Sequence, residues 1–348
     1  MSQTNEHQAE RSRGTVSVLS PDRADVSPRE RWSGQASTYY HIPLINKAHW
    51  SWEIMLYFFL GGLAGGSYLA STLAHLFGSK EDADLIRAGR YLSLVGIIIS
   101  PILLIKDLGR PERFHHMLRV LKLRSAMSLG TWGLTTFGLL CGLTAGYQMA
   151  IDGLFEWFPM LSRMMKALPV KLIESVGSVF GLFVASYTGV LLSSTAVPIW
   201  ARARHILGPL FLTSGLSTAL ASLSLILSLG QGNRQTLEKV ERAELAVMTT
   251  ELGLISALPA VLGPLGKPFF KGETAAFFGV GTLGGGLLLP LLARLAWKLT
   301  NKPTPRALNI GTSLLVLGGG LILRYVWVVV GRASADDPQA THRYNAMA

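Results

Sequence analysis

Glu53 and Tyr57 are four residues apart in "NKAHWSWEIMLYFFLGGLAGG", so a helix carries them on one face, one turn from each other. Asp107 closes an otherwise apolar run. It opens onto "IKDLGRPERFHHMLRVLKLRSAMSLGTWG", residues 105–133, which holds six basic residues against two acids. Trp132 ends that stretch, and Tyr187 lies further on in "ASYTGVLLSSTAVPIW". Two carboxylates, two phenols and an indole are the parts of a site that holds a molecule by its hydrogen-bond acceptors and exchanges protons with it. A carboxylate does this near neutral pH when desolvation raises its pKa.

The elements that must position these groups are membrane helices. Only 15% of the 348 residues are charged and 49% are hydrophobic, with a mean hydropathy of +0.36. Soluble domains carry about a quarter charged residues. Eight apolar runs are long enough to cross about 30 Å of hydrocarbon as helices: 53–77, 88–106, 127–150, 171–196, 206–229, 241–263, 274–298 and 307–331. None alternates as a strand would, and helices satisfy their own backbones in lipid. Small-residue runs such as "GGLAGGSYLAS", "GVGTLGGG" and "LGGG" are helix-packing surfaces. The expected fold is all-α and integral to the membrane, with about eight spans in two four-helix bundles. Residues 1–48 form a polar N-terminal tail, flexible or held by a partner; 49–200 form the first bundle, 201–332 the second, and 333–348 a C-terminal tail. The net charge of +11 sits in short loops between spans, which argues for lipid rather than nucleic acid as the partner.

An even number of spans puts both termini on one face of the membrane, here side A. Basic residues divide almost evenly between side A and the opposite side B, so loop charge leaves the orientation open. Glu53, Tyr57, Asp107, Trp132 and Tyr187 come from the first four spans and fall at similar depth, just inside side A. Each has an ordinary explanation too. Glu53 suits a helix N-terminus, Asp107 suits an arginine partner in the loop, Trp132 suits the lipid interface, and the tyrosines suit any bundle. Joint placement favours a site. Carbonyl-binding donors, aromatic walls, proton carriers and access from lipid suit a quinone head group.

A quinol also needs an electron acceptor. Cys141 is the only cysteine and cannot hold an iron–sulfur cluster. His75 and His205 border spans at opposite faces, and the other histidines are in tails or loops, so no facing pair can bind a haem. Electrons are therefore expected to pass to a separate subunit on side A. Arg110, Arg113, His115, Arg119 and Arg124 of the basic loop would receive it. Apart from this group, Glu251 in the sixth span and Arg324 in the eighth differ in depth by about 9 Å. They read as a structural ion pair or as a station on a proton path.

"LYFFLGGLAGGSYL", "KDLGRPERFHHMLRVLKLRSAMSLGTWGL" and "GGGLILRYVWVVVG" resemble the membrane subunits of the polysulfide reductase family, the NrfD-like quinol-interacting proteins. The resemblance covers about residues 48–332. It implies a multi-pass protein of the bacterial inner membrane with no haem or iron–sulfur cluster of its own. It implies menaquinone or ubiquinone as bound substrate and a four-cluster, ferredoxin-like iron–sulfur subunit as partner. A molybdenum or tungsten bis-pterin oxidoreductase subunit often completes such complexes. By position, the family's polar site in the first span falls on Tyr57, its carboxylate ending the second span on Asp107, and its fourth-span tyrosine on Tyr187. Some relatives have histidine at the position of Tyr57. A phenol is a poor base near neutral pH, so the proton role moves to Asp107, with Glu53 assisting. The expected function is a membrane anchor that exchanges electrons and protons between quinone and an iron–sulfur partner, inactive alone. The alternatives are a proton-translocating module using Glu251 and Arg324, and, third, a secondary transporter or structural anchor.

Overall fold

The computed structural model describes residues 45, 50–230, 232–300 and 304–347. Apart from Ile45, the expected N-terminal tail lies outside the described residues. Eight helices are long and apolar enough to cross a membrane. They are α1 (Trp52–Phe77), α2 (Ala83–Asp107), α3 (Ala126–Ile151), α4 (Val170–Ser193), α5 (Arg204–Leu229), α6 (Arg234–Leu262), α7 (Gly272–Lys298) and α8 (Arg306–Asp336). A short helix, α9 (Pro338–Met347), occupies the expected C-terminal tail. No strand occurs among the described residues.

The expected spans and the helices coincide, with instructive shifts at their ends. α6 begins at Arg234 rather than 241, because its first turns are polar and a hydropathy reading stops where the lipid does. Asn233 caps it, its side-chain oxygen accepting from the Gln235 N–H at 2.9 Å. Arg234 and Glu238 pair one turn apart at 3.4 Å on the exposed face. α7 is wound from Phe277 to Leu288 in wide turns of the i→i+5 kind, far longer than the single-turn bulges in which such turns are normally found. They coincide with its glycine run.

α1 packs on α2 and α4, and α3 closes the first bundle between α2 and α4. In the second bundle α5 packs on α6 and α8, and α8 on α7. The seam joins α1 to α5 and α8, and α4 to α5. The glycines of α1 explain this central position. Gly65 faces α4, where a Cβ would collide with the Gly181 carbonyl oxygen. Gly66 faces α5, where a Cβ would come within 2.7 Å of the Ala219 Cβ. Lipid tails supply no hydrophobic drive for helix association, so close backbone packing must supply it. At the side A end of the seam Trp50 stacks on Trp200 at 5.0 Å, and Trp200 donates to the Trp327 carbonyl at 2.9 Å.

Candidate functional site

α1 starts on side A and α2 ends there, so their adjacent termini bring the first polar groups together. The Lys106 ammonium in the last turn of α2 lies 3.1 Å from the Glu53 carboxylate in the first turn of α1. Both charges suit their helix ends. Lys106 also lies 4.9 Å over the Trp52 ring. Next to it, Ser51 donates to the Asp107 carboxylate. Asp107 makes no ion pair with Arg110 or Arg113, so the loop arginines are not its partners. Glu53 is buried, and Asp107 is half-buried at the membrane edge.

One turn deeper, the Tyr57 side chain is 3% exposed. It lies within electrostatic reach of Tyr187. Tyr187 donates to the Ala126 carbonyl at the start of α3, stacks on Phe183 at 5.2 Å, and packs over Gly130, where no Cβ would fit. The Trp132 indole N–H is buried and has no acceptor among the described residues. Trp132 is thus a buried donor of the first bundle without a partner among the described residues.

A fissure of about 400 Å³ opens between α1, α7 and α8, lined by Trp52, Met55, Leu56, Phe277, Ile322 and Tyr325 among others. Trp52 links it to the Glu53–Lys106 pair.

The loop from Asp107 to Ser125 forms a short 3₁₀ segment, Pro111–Leu118, then an irregular stretch tied to α3 by the Lys122 N–H, which donates to Ser128 at 3.0 Å. Arg110, Arg113, His115, Arg119 and Arg124 are all exposed, and none forms an ion pair among the described residues. Val120, Leu121 and Leu123 are exposed beside them, Leu123 to 72%.

Glu251 and Arg324 are both buried, yet they do not touch. Glu251 accepts from Ser217 at 2.7 Å, and Arg324 donates to Ser214 at 2.6 Å and to the Gly320 carbonyl at 2.8 Å. One turn of α5 thus stands between the two charges. The expected direct pair is replaced by a serine bridge, and Nε and one terminal nitrogen of Arg324 remain without partners among the described residues.

Two buried ion pairs on the side B half, centred on Arg90 and Arg294, were not expected. The Arg90 guanidinium reaches Glu174 at 2.6 Å and Gln148 at 2.6 Å, and His75 lies 2.5 Å from the other Glu174 oxygen. Gln148 continues to Asp152, which also takes Tyr91 at 2.6 Å and Arg87 at 3.0 Å. Burial disfavours the Asp152 charge, but its Tyr91, Gln148 and Arg87 partners outweigh that and hold its pKa below the usual carboxylate range. In the second bundle Arg294 reaches Glu244 at 2.5 Å, with Thr312 and Ser313 beside it. Glu174 and Glu244 each interrupt an apolar or amphipathic span, and that signal was available in the sequence.

The fold and these groups define a polytopic, all-helical membrane protein with a polar site at one lip of its first bundle and an exposed basic loop beside it. A family model described as polysulphide reductase, NrfD, matches residues 42–334. The chain belongs to that family. One of the chains of the Wolinella succinogenes polysulfide reductase is 27% identical over 308 residues, covering 82% of this chain and 95% of that one. Protein NrfD of Escherichia coli is 27% identical over 320 residues, covering 86% of this chain and 98% of that one. A shorter match, 29% over 75 residues, is to a subunit of the selenate reductase of Mesobacillus selenatarsenatis, covering 22% of this chain and 18% of that one. The protein is thus a multi-pass membrane subunit of an oxidoreductase, in the bacterial inner membrane.

Proposed function

We propose that this chain is the quinone-reactive anchor of its complex, passing electrons between a membrane quinone and an iron–sulfur subunit seated on side A. The observation that carries this reading is the buried Trp132 indole N–H, which has no acceptor among the described residues, in the same bundle as the buried Tyr57, one turn below Glu53 and within electrostatic reach of Tyr187. An unsatisfied N–H in a membrane interior costs about 1–3 kcal/mol, and a quinone oxygen would satisfy it. Tyr57 and Tyr187 hold the head group, and Trp132 forms part of its wall. The apolar fissure beside Trp52 gives the isoprenoid tail a route from lipid.

Oxidation of one quinol releases two electrons and two protons. The electrons leave through clusters of the partner subunit, whose ferredoxin-like type is itself part of the proposal, as are a molybdenum or tungsten subunit beyond it and menaquinone or ubiquinone as the quinone. Asp107 accepts the protons at the membrane edge, with Glu53 assisting. In the reducing direction the same groups deliver them. Arg110, Arg113, His115, Arg119 and Arg124, exposed and flanked by exposed apolar side chains, dock the partner.

The test is reconstitution. Membranes carrying the whole complex should reduce an artificial electron acceptor with quinol, and the complex without this chain should keep its dye-linked catalytic activity but lose quinol dependence. Quinol-dependent turnover persisting without the chain would rule the reading out.

A second reading has its own support. The serine-bridged Glu251 and the under-partnered Arg324 lie in the membrane interior at the seam, where an Arg324 nitrogen comes within 3.4 Å of a Cβ built on Gly62 of α1. Such groups suit proton transfer coupled to the quinone site. In sealed vesicles, Glu251→Gln would abolish proton movement and spare electron transfer; an unchanged proton yield would exclude it.

A further inference from the structure

A cavity lies away from the polar lip of the first bundle. It measures about 550 Å³ and opens between α6, α7 and the 3₁₀ segment Gly263–Phe270 that joins them on side A. Its wall is aliphatic and aromatic: Ile255, Leu258, Leu262, Phe269, Phe278 and Leu283. Ile255 and Leu262 are seven residues apart on α6, so the wall extends about 10 Å along the helix. Gly263 and Gly272, with φ of +51° and +58°, make the turns that bracket the joining segment. Pro259, in the last turn of α6, also lines the opening.

The chemistry of this cavity is divided by depth. The lining offers only one side-chain hydroxyl, Ser256, and no carboxylate, so it has little with which to recognise a polar head inside. The charged lining residues are Lys267 and Lys271, both exposed on the joining segment at the side A end. Neither has an ion-pair partner among the described residues, including Glu273, two residues beyond Lys271. Exposed Phe270 stands between them, an aromatic side chain at headgroup height. A ligand matching this arrangement has an aliphatic tail and an anionic head held at the membrane surface.

We propose that this cavity is a binding site for an anionic phospholipid, with one acyl chain between α6 and α7 and the phosphate at Lys267 and Lys271. Basic residues at the membrane surface attract anionic lipid, and the apolar slot beneath them distinguishes this place from the rest of the basic surface. Bound lipid would fill the gap between two helices of the second bundle. The site is separate from the quinone site and does not depend on it.

The test uses the full chain in its complex, purified in detergent, stripped of lipid, and titrated with phosphatidylglycerol or phosphatidylethanolamine under native mass spectrometry. Wild type should retain phosphatidylglycerol with a preference of about tenfold or more. The double variant Lys267→Gln/Lys271→Gln should lose the preference. Leu283→Trp, which puts an indole into the cavity, should reduce retention of both lipids. Lys298→Gln, at the side B end of α7, should change nothing. Size-exclusion profiles check that each variant is folded. Equal retention of the two lipids by wild type overturns the proposal, as does a preference that survives the double lysine change. Lipid retention undiminished in Leu283→Trp, or phosphatidylglycerol displaced by a quinone analogue, overturns it too.

Discussion

Lys106, in the last turn of α2, holds Glu53, in the first turn of α1, at 3.1 Å. Ser51 is hydrogen-bonded to Asp107 beside that pair. Two carboxylates are thereby fixed at the side A lip of the first bundle, one covered by an ammonium and one by a hydroxyl. In the proposed reaction Asp107, half-buried at the end of α2 on the membrane edge, takes the main proton role and Glu53 assists.

Lys106→Met removes the ammonium and keeps most of the apolar stem over Trp52. Lys106 is 61% exposed, so solvent screens the pair and its contribution to stability is small. Steady-state kinetics with quinol should show a KM change of no more than about fivefold, with kcat nearly unaltered. A collapse of assembly would mean that the pair is structural.

The Arg90–Glu174 pair is 3% and 1% exposed. Removing one partner of such a pair strands the other, at a cost of about 3–5 kcal/mol. Glu174→Gln should therefore lower the melting temperature of the purified chain by many degrees, and Arg90→Met with Glu174→Leu should recover part of the loss. Thermal unfolding followed by fluorescence in detergent checks both. Equal losses in the single and double variants would contradict the account.

The eight spans were legible because length and hydropathy alone define a membrane helix. The side A cluster was partly legible: the i, i+4 spacing of Glu53 and Tyr57 and the position of Asp107 at a span end follow from counting residues. The pairing of Glu53 with Lys106 was not legible, since it depends on how the ends of α1 and α2 meet. The pairing of Arg90 and Arg294 was not legible for a related reason. Near a span end, arginine belongs equally well to the lipid headgroups or to a carboxylate on a neighbouring helix, and only packing distinguishes them. The small residues of α1 announced close packing. They could not say that Gly65 meets α4 while Gly66 meets α5.

That division of α1 predicts a sharp contrast between glycines. Gly65→Leu must force α1 and α4 apart, because even a Cβ would collide with the Gly181 oxygen. Gly142, with nothing within 4 Å of a built Cβ, should accept alanine and gain up to about 1 kcal/mol of helix propensity. Yield and melting temperature of the two variants should move in opposite directions. A well-folded Gly65→Leu protein would contradict the packing.

Asp152 caps the side B end of α3 with its pKa held below the usual carboxylate range. A carboxylate with a depressed folded-state pKa contributes stability above its unfolded value of about 3.9 and loses it as pH falls through the folded value. Asp152→Asn should thus be less stable than wild type at pH 7, by about 1 kcal/mol. The difference should shrink below about pH 4. Melting curves of both proteins across that range measure it, and a gap independent of pH would assign the effect to shape rather than charge.

The central claim rests most directly on Asp107. Its test is quinol-dependent electron transfer by the assembled complex carrying Asp107→Asn, with the dye-linked activity of the partner enzyme as the control for assembly. Loss of a proton-transferring group costs about 10²–10⁴-fold, so quinol turnover should fall by about a hundredfold or more while the dye-linked activity is unchanged. Turnover and quinol affinity equal to wild type across the pH range would contradict the account.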